Sequence, residues 1–119
     1  MFGQAMFGAI AVDAQNVQRQ FSQRTTSGAL TVGNNTIRTP ATGRTLIVYR
    51  FYGSVGAAAT IFLQDGTGGS ALGSVTLAAA GTFSFDFTPD GAILTNGNLL
   101  NLNSSAAVAL EATCVGREV

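Results

Sequence analysis

The sequence lacks histidine, lysine and tryptophan and has a single cysteine, Cys114. Without histidine, neither a Ser-His-Asp nor a Cys-His catalytic arrangement can form, and a Cys/His zinc cluster is excluded. The single cysteine excludes an internal disulfide, and its apolar surroundings at 106–115 predict a small buried side chain. Asp86 and Asp90 are the closest carboxylates in the sequence, but their positions on an outward strand face and in a turn are ordinary structural ones. We therefore expect neither enzymatic activity nor a cofactor.

Charge is also scarce, since charged residues make up 10% of the chain, against roughly 25% in ordinary soluble domains. The six arginines are spread along the chain, which argues against direct binding of nucleic acid. No run approaches the roughly 20 apolar residues of a membrane-spanning helix. The apolar start has no preceding basic residue, so we expect no secretory signal and a mature chain that begins near Met1.

A formal net charge of zero gives little protection against association. We expect partners, most simply further copies of the same chain, to cover much of the surface. The alternative is a free domain with a neutral coat rich in threonine and asparagine.

Residues 1–28 differ in pattern from the rest of the chain and are predicted to form an extended N-terminal arm, or alternatively a poorly ordered lead-in. The arm carries Phe2, Met6 and Phe7, which no local strand or helix pattern can bury, so we expect it to dock on another subunit. The spacing of Val17 and Phe21 also allows a short helix over 13–24.

Residues 29–119 alternate short β-type runs with turn residues and predict a single β-sandwich domain of about eight antiparallel strands. A jelly-roll-like arrangement fits best, and an immunoglobulin-like sandwich is the alternative. A turn is expected at 33–35, a hairpin loop at 65–69 and a further turn at 89–91. The predicted strands are 29–32, 44–52, 58–64, 71–77, 82–88, 99–102 and 106–115. Residues 36–39 are predicted to be extended, and residues 92–95 lead into a further turn.

Two of these strands are the most informative. In 82–88, strict alternation directs Phe83, Phe85 and Phe87 toward the core. The strand 44–52 is apolar on both faces, as expected when one face lies on the core and the other is covered. Simple alternation places Leu46, Val48, Arg50 and Tyr52 on one face and Thr45, Ile47, Tyr49 and Phe51 on the other. Because arginine and aromatic residues are enriched in interfaces, Arg44, Arg50 and Tyr52 join Phe2, Met6 and Phe7 as candidate interface residues.

Three stretches carry a resemblance to a known class of proteins: GRTLIVYRFYGSV, LQDGTGGSALGSVTLAAAGTFSFDFTPDGAILTNGNLLNLNSS and AVALEATCVG. Together they lie within 43–116, about two-thirds of the chain. In style and order they resemble the small jelly-roll structural proteins of tailed bacteriophages, which include capsid decoration (cement) proteins and fibre-like proteins. Residues 1–28 are not part of the resemblance.

The resemblance implies a decoration protein that assembles as a trimer on the outside of the capsid and bridges major capsid subunits. The chain would be made in the host cytoplasm and end on the virion surface, without a cofactor or membrane. The alternative is a head- or tail-fibre-type domain that binds a host receptor or glycan. Such a domain is expected to present aromatics or acids on its loops, whereas here the loops are rich in Gly, Asn, Thr and Ser.

Overall fold

The computed structural model describes residues 19–27 and 29–119, and within them the chain forms nine strands. These residues contain no helix with the length and apolar character needed to cross a membrane. The strands are β1 (Arg19–Ser27), β2 (Gly33–Arg38), β3 (Leu46–Val55), β4 (Ala59–Asp65), β5 (Ser70–Leu77), β6 (Gly81–Asp86), β7 (Ala92–Ile93), β8 (Leu100–Ser104) and β9 (Leu110–Glu118).

Two antiparallel sheets face each other as a sandwich. The first sheet has the order β1-β9-β3-β6, with β7 paired to the start of β3, and the second has the order β2-β8-β4-β5. The prediction of an all-β, jelly-roll-like sandwich is confirmed, with nine strands in the described ranges instead of about eight.

The core lies between the sheets and is built from alternate residues of their strands. The predicted inward orientation of Phe83 and Phe85 is confirmed, while Phe87, just beyond β6, is only partly buried against the core. The rings of Phe83 and Phe85 lie 5.5 and 6.4 Å from that of Phe51, which is fully buried. Aromatic pairs at these separations add to the stabilisation from burial alone.

The predicted face assignment of the third strand is wrong beyond Val48. Tyr49 forms a β-bulge against β9, because Val48 pairs with Gly116 and Arg50 with the very next residue, Val115. A bulge places one extra residue in one strand and reverses the alternation beyond it. Phe51 therefore shares the core with Val48, whereas Arg50 and Tyr52 are exposed on the outer face.

The segment 19–27 is not part of a detached arm or a helix, because it pairs along its whole length with β9. The sheet thus begins well before the predicted domain boundary at residue 28. The ring of Phe21 packs over Gly116, where a Cβ atom would lie 2.8 Å from that ring. Residues 1–18 lie outside the described residues, so the rest of the arm prediction, including Phe2, Met6 and Phe7, falls there, as does the first part of the predicted helix.

The predicted start of the second strand and the predicted end of the last strand also differ from the structure. Residues 29–32 form no strand, although Leu30 is buried, and the expected turn at 33–35 belongs to strand β2. Asn34 and Asn35 favour turns in isolation, but here they pair in register with Asn103 and Leu102 of β8. The Asn35 side chain keeps local bonds to Thr31 and Gly33, whereas that of Asn34 accepts bonds from Asn101 and Asn103. The last strand runs to Glu118, beyond its predicted end at residue 115.

Candidate functional site

The described residues contain no group of three or more metal-ligating side chains. Asp86 accepts hydrogen bonds from the backbone and side chain of Thr88. The pKa of Asp86 is lowered, mainly by the bond from the Thr88 side chain and then by the bond from the Thr88 backbone. The charge of Arg50 lowers it further, and these effects outweigh the desolvation that raises it. Asp65 accepts hydrogen bonds from Thr95 and Asn98 and so ties the β4–β5 hairpin to the loop at 95–98. Both carboxylates therefore have structural roles.

The outer face of the first sheet brings together side chains that suit contact with another protein. We call it the arginine–tyrosine face and define it by Arg24, Arg50, Tyr52, Glu111 and Thr113. These residues come from three adjacent strands, since Tyr52 pairs with Thr113 and Arg24 pairs with the same threonine from the other side. They line a groove of about 440 Å³ that also includes Ser54, Thr82 and Ser84.

The charges on this face are balanced and solvated. Arg24 forms an ion pair with Glu111 at 3.1 Å, and both side chains are largely exposed. The Arg50 guanidinium lies 5.2 Å from the centre of the Tyr52 ring, within the range of a cation–π contact. Arg50 also pairs in register with Asp86 on β6. With the neighbouring Asp86 included, two arginines and two acids balance each other in this part of the sheet, so the face is suited to a neutral protein surface.

The structure covers one end of β3 by intramolecular contacts and leaves the other end open. Gly91 has a φ of +86° and lies so close to β3 that a Cβ atom there would be 2.6 Å from Ile47. The turn at 87–91 therefore helps to cover Ile47 and Tyr49. The apolar outer side of the strand, which we expected a partner to cover, is covered in this part by the chain itself.

The candidate interface residues do not all come together. Arg50 and Tyr52 share the arginine–tyrosine face, whereas Arg44 lies before β3 at the other end of the strand. There its charge contributes to lowering the pKa of Glu118. Arg24 and Glu111 were not predicted from the sequence, because their approach depends on the pairing of β1 with β9.

A second cluster lies on the outer face of the second sheet, and we call it the amide face. It is defined by Asn34, Phe62, Gln64, Asn101 and Asn103, from strands β2, β4 and β8. These residues were also missed as candidates from the sequence. The alternation in ATIFLQD and NLN was a usable signal, because it places Phe62, Gln64, Asn101 and Asn103 opposite the apolar residues.

No family model matches the chain, and no curated protein matches it. Among solved structures it is similar to a chain of the Bacillus endospore appendages, described as a novel family of disulfide-linked pili. The identity is 13%, over 93% of this chain and 96% of that chain, and the TM-score is 0.46.

Proposed function

We propose that this chain is a structural protein of a bacteriophage virion, most specifically a capsid decoration protein that binds the outside of the assembled shell. The observation that carries the proposal is the arginine–tyrosine face, an open surface on the five-stranded sheet whose two arginines are balanced by Glu111 and the neighbouring Asp86. It accompanies the sequence resemblance to phage jelly-roll proteins. The partners are further copies of the chain, as a trimer, and the major capsid protein.

The residue types on this face support binding to protein. Tyrosine and arginine are enriched among the residues that contribute most to interface affinity, especially near the centre of a contact. Tyr52 and Arg50 lie side by side on the open half of β3, with 37% of Tyr52 exposed. The Arg24–Glu111 pair beside them is exposed and contributes little energy, as expected of a polar rim.

The mechanism requires no chemistry beyond binding. A protein that binds the assembled shell and not its free subunits shifts the assembly equilibrium toward the shell by mass action. Many identical weak contacts, linked through a trimer, add up to tight attachment.

The first test is the copy number of the chain in purified virions, measured by quantitative mass spectrometry against the major capsid protein. A decoration protein is expected in numbers comparable to the major capsid protein. A few copies per particle would contradict decoration and favour the fibre-type alternative. Absence from particles would overturn the virion assignment altogether.

The second test compares variants on the two outer faces in a capsid-binding assay. Arg50→Ala and Tyr52→Ala are expected to weaken binding to undecorated shells by about 30-fold each, corresponding to the roughly 2 kcal/mol typical of important interface residues. Phe62→Ala, on the opposite face, is the control and is expected to bind as well as the unmodified protein. Equal binding by all three variants would show that the arginine–tyrosine face is not the contact surface.

A further inference from the structure

The amide face carries a ladder of side-chain amides that crosses three strands. Asn101, in the central strand β8, donates from Nδ2 to Asn34 Oδ1 at 3.0 Å and to Gln64 Oε1 at 2.7 Å. Asn103 Nδ2 donates to the same Asn34 oxygen at 3.2 Å. Asn101 is 1% exposed, although it faces away from the core, because its neighbours close over it. The ladder is therefore a packed, ordered layer on the surface of the sheet.

This ladder sets the orientation of the outer amides. The side-chain oxygens of Asn34 and Gln64 are used within the ladder, which directs their amide nitrogens elsewhere. Neither nitrogen has a hydrogen-bond partner among residues 19–27 and 29–119. Each nitrogen carries two N–H donors, so Asn34 and Gln64 offer donors, and Asn103 Oδ1 an acceptor, with little orientational freedom left to lose on binding.

An exposed aromatic ring stands within this polar layer. Phe62 pairs directly with Asn103 on one side and with Ser74 on the other, and 38% of its surface is exposed. Residues opposite each other in a sheet have Cβ atoms about 5 Å apart. A ligand only a few ångströms across can therefore contact the Phe62 ring and the neighbouring side-chain amides at the same time.

The amide face carries no charge. The described strands β2, β4, β5 and β8 contain two charged residues, and both point away from this face. Arg38 bonds to Glu118, and Asp65 bonds to Thr95. Further outward positions are occupied by Thr36, Thr60, Ala71, Ser74 and Thr76, and the Thr60 and Thr76 hydroxyls bond to each other. A charged ligand would find no counter-ion here.

We propose that the amide face binds a neutral carbohydrate, with the Phe62 ring against the apolar C–H face of a sugar ring. The amides of Asn34, Gln64 and Asn103 bond to its hydroxyl groups. A sugar ring matches this surface because it combines a flat apolar side with hydroxyls that both donate and accept. The face is open and shallow, so we expect a dissociation constant on the order of 1 mM for one short oligosaccharide. When many copies of the protein bind one glycan surface together, avidity makes the overall attachment tighter.

The test is an NMR titration of the full ¹⁵N-labelled chain with three neutral hexasaccharides: cellohexaose, laminarihexaose and maltohexaose. With at least one of them, we expect amide shifts confined to strands β2, β4, β5 and β8. Phe62→Ala should weaken that binding about tenfold or more, because the ring contributes the main apolar contact. Tyr52→Ala is a matched control, since its ring is exposed to the same extent on the opposite face.

Three outcomes would overturn the proposal. The first is no shift on the amide face with any of the three sugars, and the second is equal affinity in Phe62→Ala and the unmodified chain. The third is a loss of self-association in sugar-free Phe62→Ala, which would make the face a contact between copies. Sugar binding and capsid binding are measured on opposite faces with separate variants, so either can fail while the other stands.

Discussion

Single residues decide which side chains reach the surface, and Tyr49 is the clearest case. As the extra residue of a bulge, it shifts the second half of β3 by one position relative to simple alternation. Phe51 consequently enters the core and Tyr52 becomes exposed on the arginine–tyrosine face. Without the bulge, Arg50 would point into an apolar core, where an unpaired charge costs several kcal/mol.

The two neighbours Phe51 and Tyr52 provide a test of this arrangement. Phe51→Ala is expected to lower the free energy of unfolding by about 3–5 kcal/mol, because it leaves a cavity among Phe83, Phe85 and their neighbours. Tyr52→Ala should cost about 1 kcal/mol or less, as a surface substitution. Urea unfolding measures both values. If Tyr52→Ala lowered the free energy of unfolding more than Phe51→Ala, β3 would follow simple alternation without the bulge.

Cys114 is buried on β9, and burial raises the pKa of its thiol to about 12, although the charge of Arg38 acts in the opposite direction. Because the thiolate is the reactive form, we expect the native protein to react very slowly with Ellman's reagent at pH 8. The unfolded protein should release one equivalent rapidly. Rapid, stoichiometric reaction of the native protein would show that β9 opens readily or that Cys114 is accessible.

At the scale of elements, a partly buried ion pair joins the two sheets. Arg38 of β2 bonds to Glu118 of β9 at 2.6 Å, and its guanidinium lies 3.8 Å from the centre of the Phe21 ring of β1. Gln23 accepts a further bond from Arg38 and donates one to the Ile37 carbonyl. Strands β1, β2 and β9 are thus held together at one end of the sandwich by a single polar cluster.

This cluster makes stability dependent on pH. Desolvation raises the pKa of Glu118, but the bonds from the Ala41 N–H and from Arg38, with the charges of Arg38 and Arg44, outweigh it and leave the pKa lowered. A carboxyl with a lowered pKa in the folded state stabilises the fold above its unfolded pKa. That contribution disappears as the pH falls through the folded value.

We therefore expect the free energy of unfolding to fall as the pH drops below about 4.5, the ordinary value for glutamate. Glu118→Gln should be less stable at pH 7 and lose less stability on acidification. Glu111→Gln, on the same strand but in an exposed pair, is the control and should keep the original pH dependence. Urea unfolding at a series of pH values measures all three. If Glu118→Gln lost as much stability on acidification as the unmodified chain, this cluster would not be the source of the pH dependence.

The edge strand β1 is the element whose contribution can be measured by truncation. Removing residues 1–18 leaves every described contact of β1 in place, so the melting temperature should hardly change. Removing 1–28 also removes the Phe21 packing and the Gln23 bonds and should lower the melting temperature by at least about 5 °C. Equal melting temperatures for the two truncated chains would mean that β1 contributes nothing to the stability of the sandwich.

The arm hypothesis for the residues before Arg19 has a separate readout. If Phe2, Met6 and Phe7 dock on a neighbouring subunit, the chain lacking 1–18 should fold normally and yet be incorporated into particles less efficiently. Quantification of the chain in purified particles measures this. Full incorporation of the truncated chain would contradict the arm hypothesis and leave the arginine–tyrosine face as the proposed contact.

At the scale of the whole molecule, the balance of charge favours association. The chain has six basic and six acidic residues, and the amide face has no charged side chain among the described strands. We expect sedimentation velocity to give a homo-oligomer, with three copies of the 12.1 kDa chain as the preferred state. A stable 12.1 kDa monomer at high concentration would contradict self-association. The sedimentation coefficients of Tyr52→Ala and Phe62→Ala, measured at one protein concentration, indicate which outer face takes part in self-association.

The sequence by itself determined the features that depend on near neighbours or on composition. Alternation of period two placed Phe83 and Phe85 in the core, and glycine-rich turns marked the β4–β5 hairpin and the turn at 89–91. The absence of histidine excluded the common catalytic arrangements whatever the fold. The core positions of the two phenylalanines and the two turns follow from the local geometry of a strand or a turn, so the order of residues is sufficient to predict them.

Only the tertiary structure decided which strands are partners and where their registers shift. The pairing of β1 with β9 joins opposite ends of the described chain and turns part of the predicted arm into a strand. Asn34 and Asn35 lie in a strand because they pair with Asn103 and Leu102 of β8, more than 60 residues away. The bulge at Tyr49 likewise depends on the register with β9. Hydrogen bonds between distant segments outweigh local preference at these positions, and both candidate binding faces result from those long-range pairings.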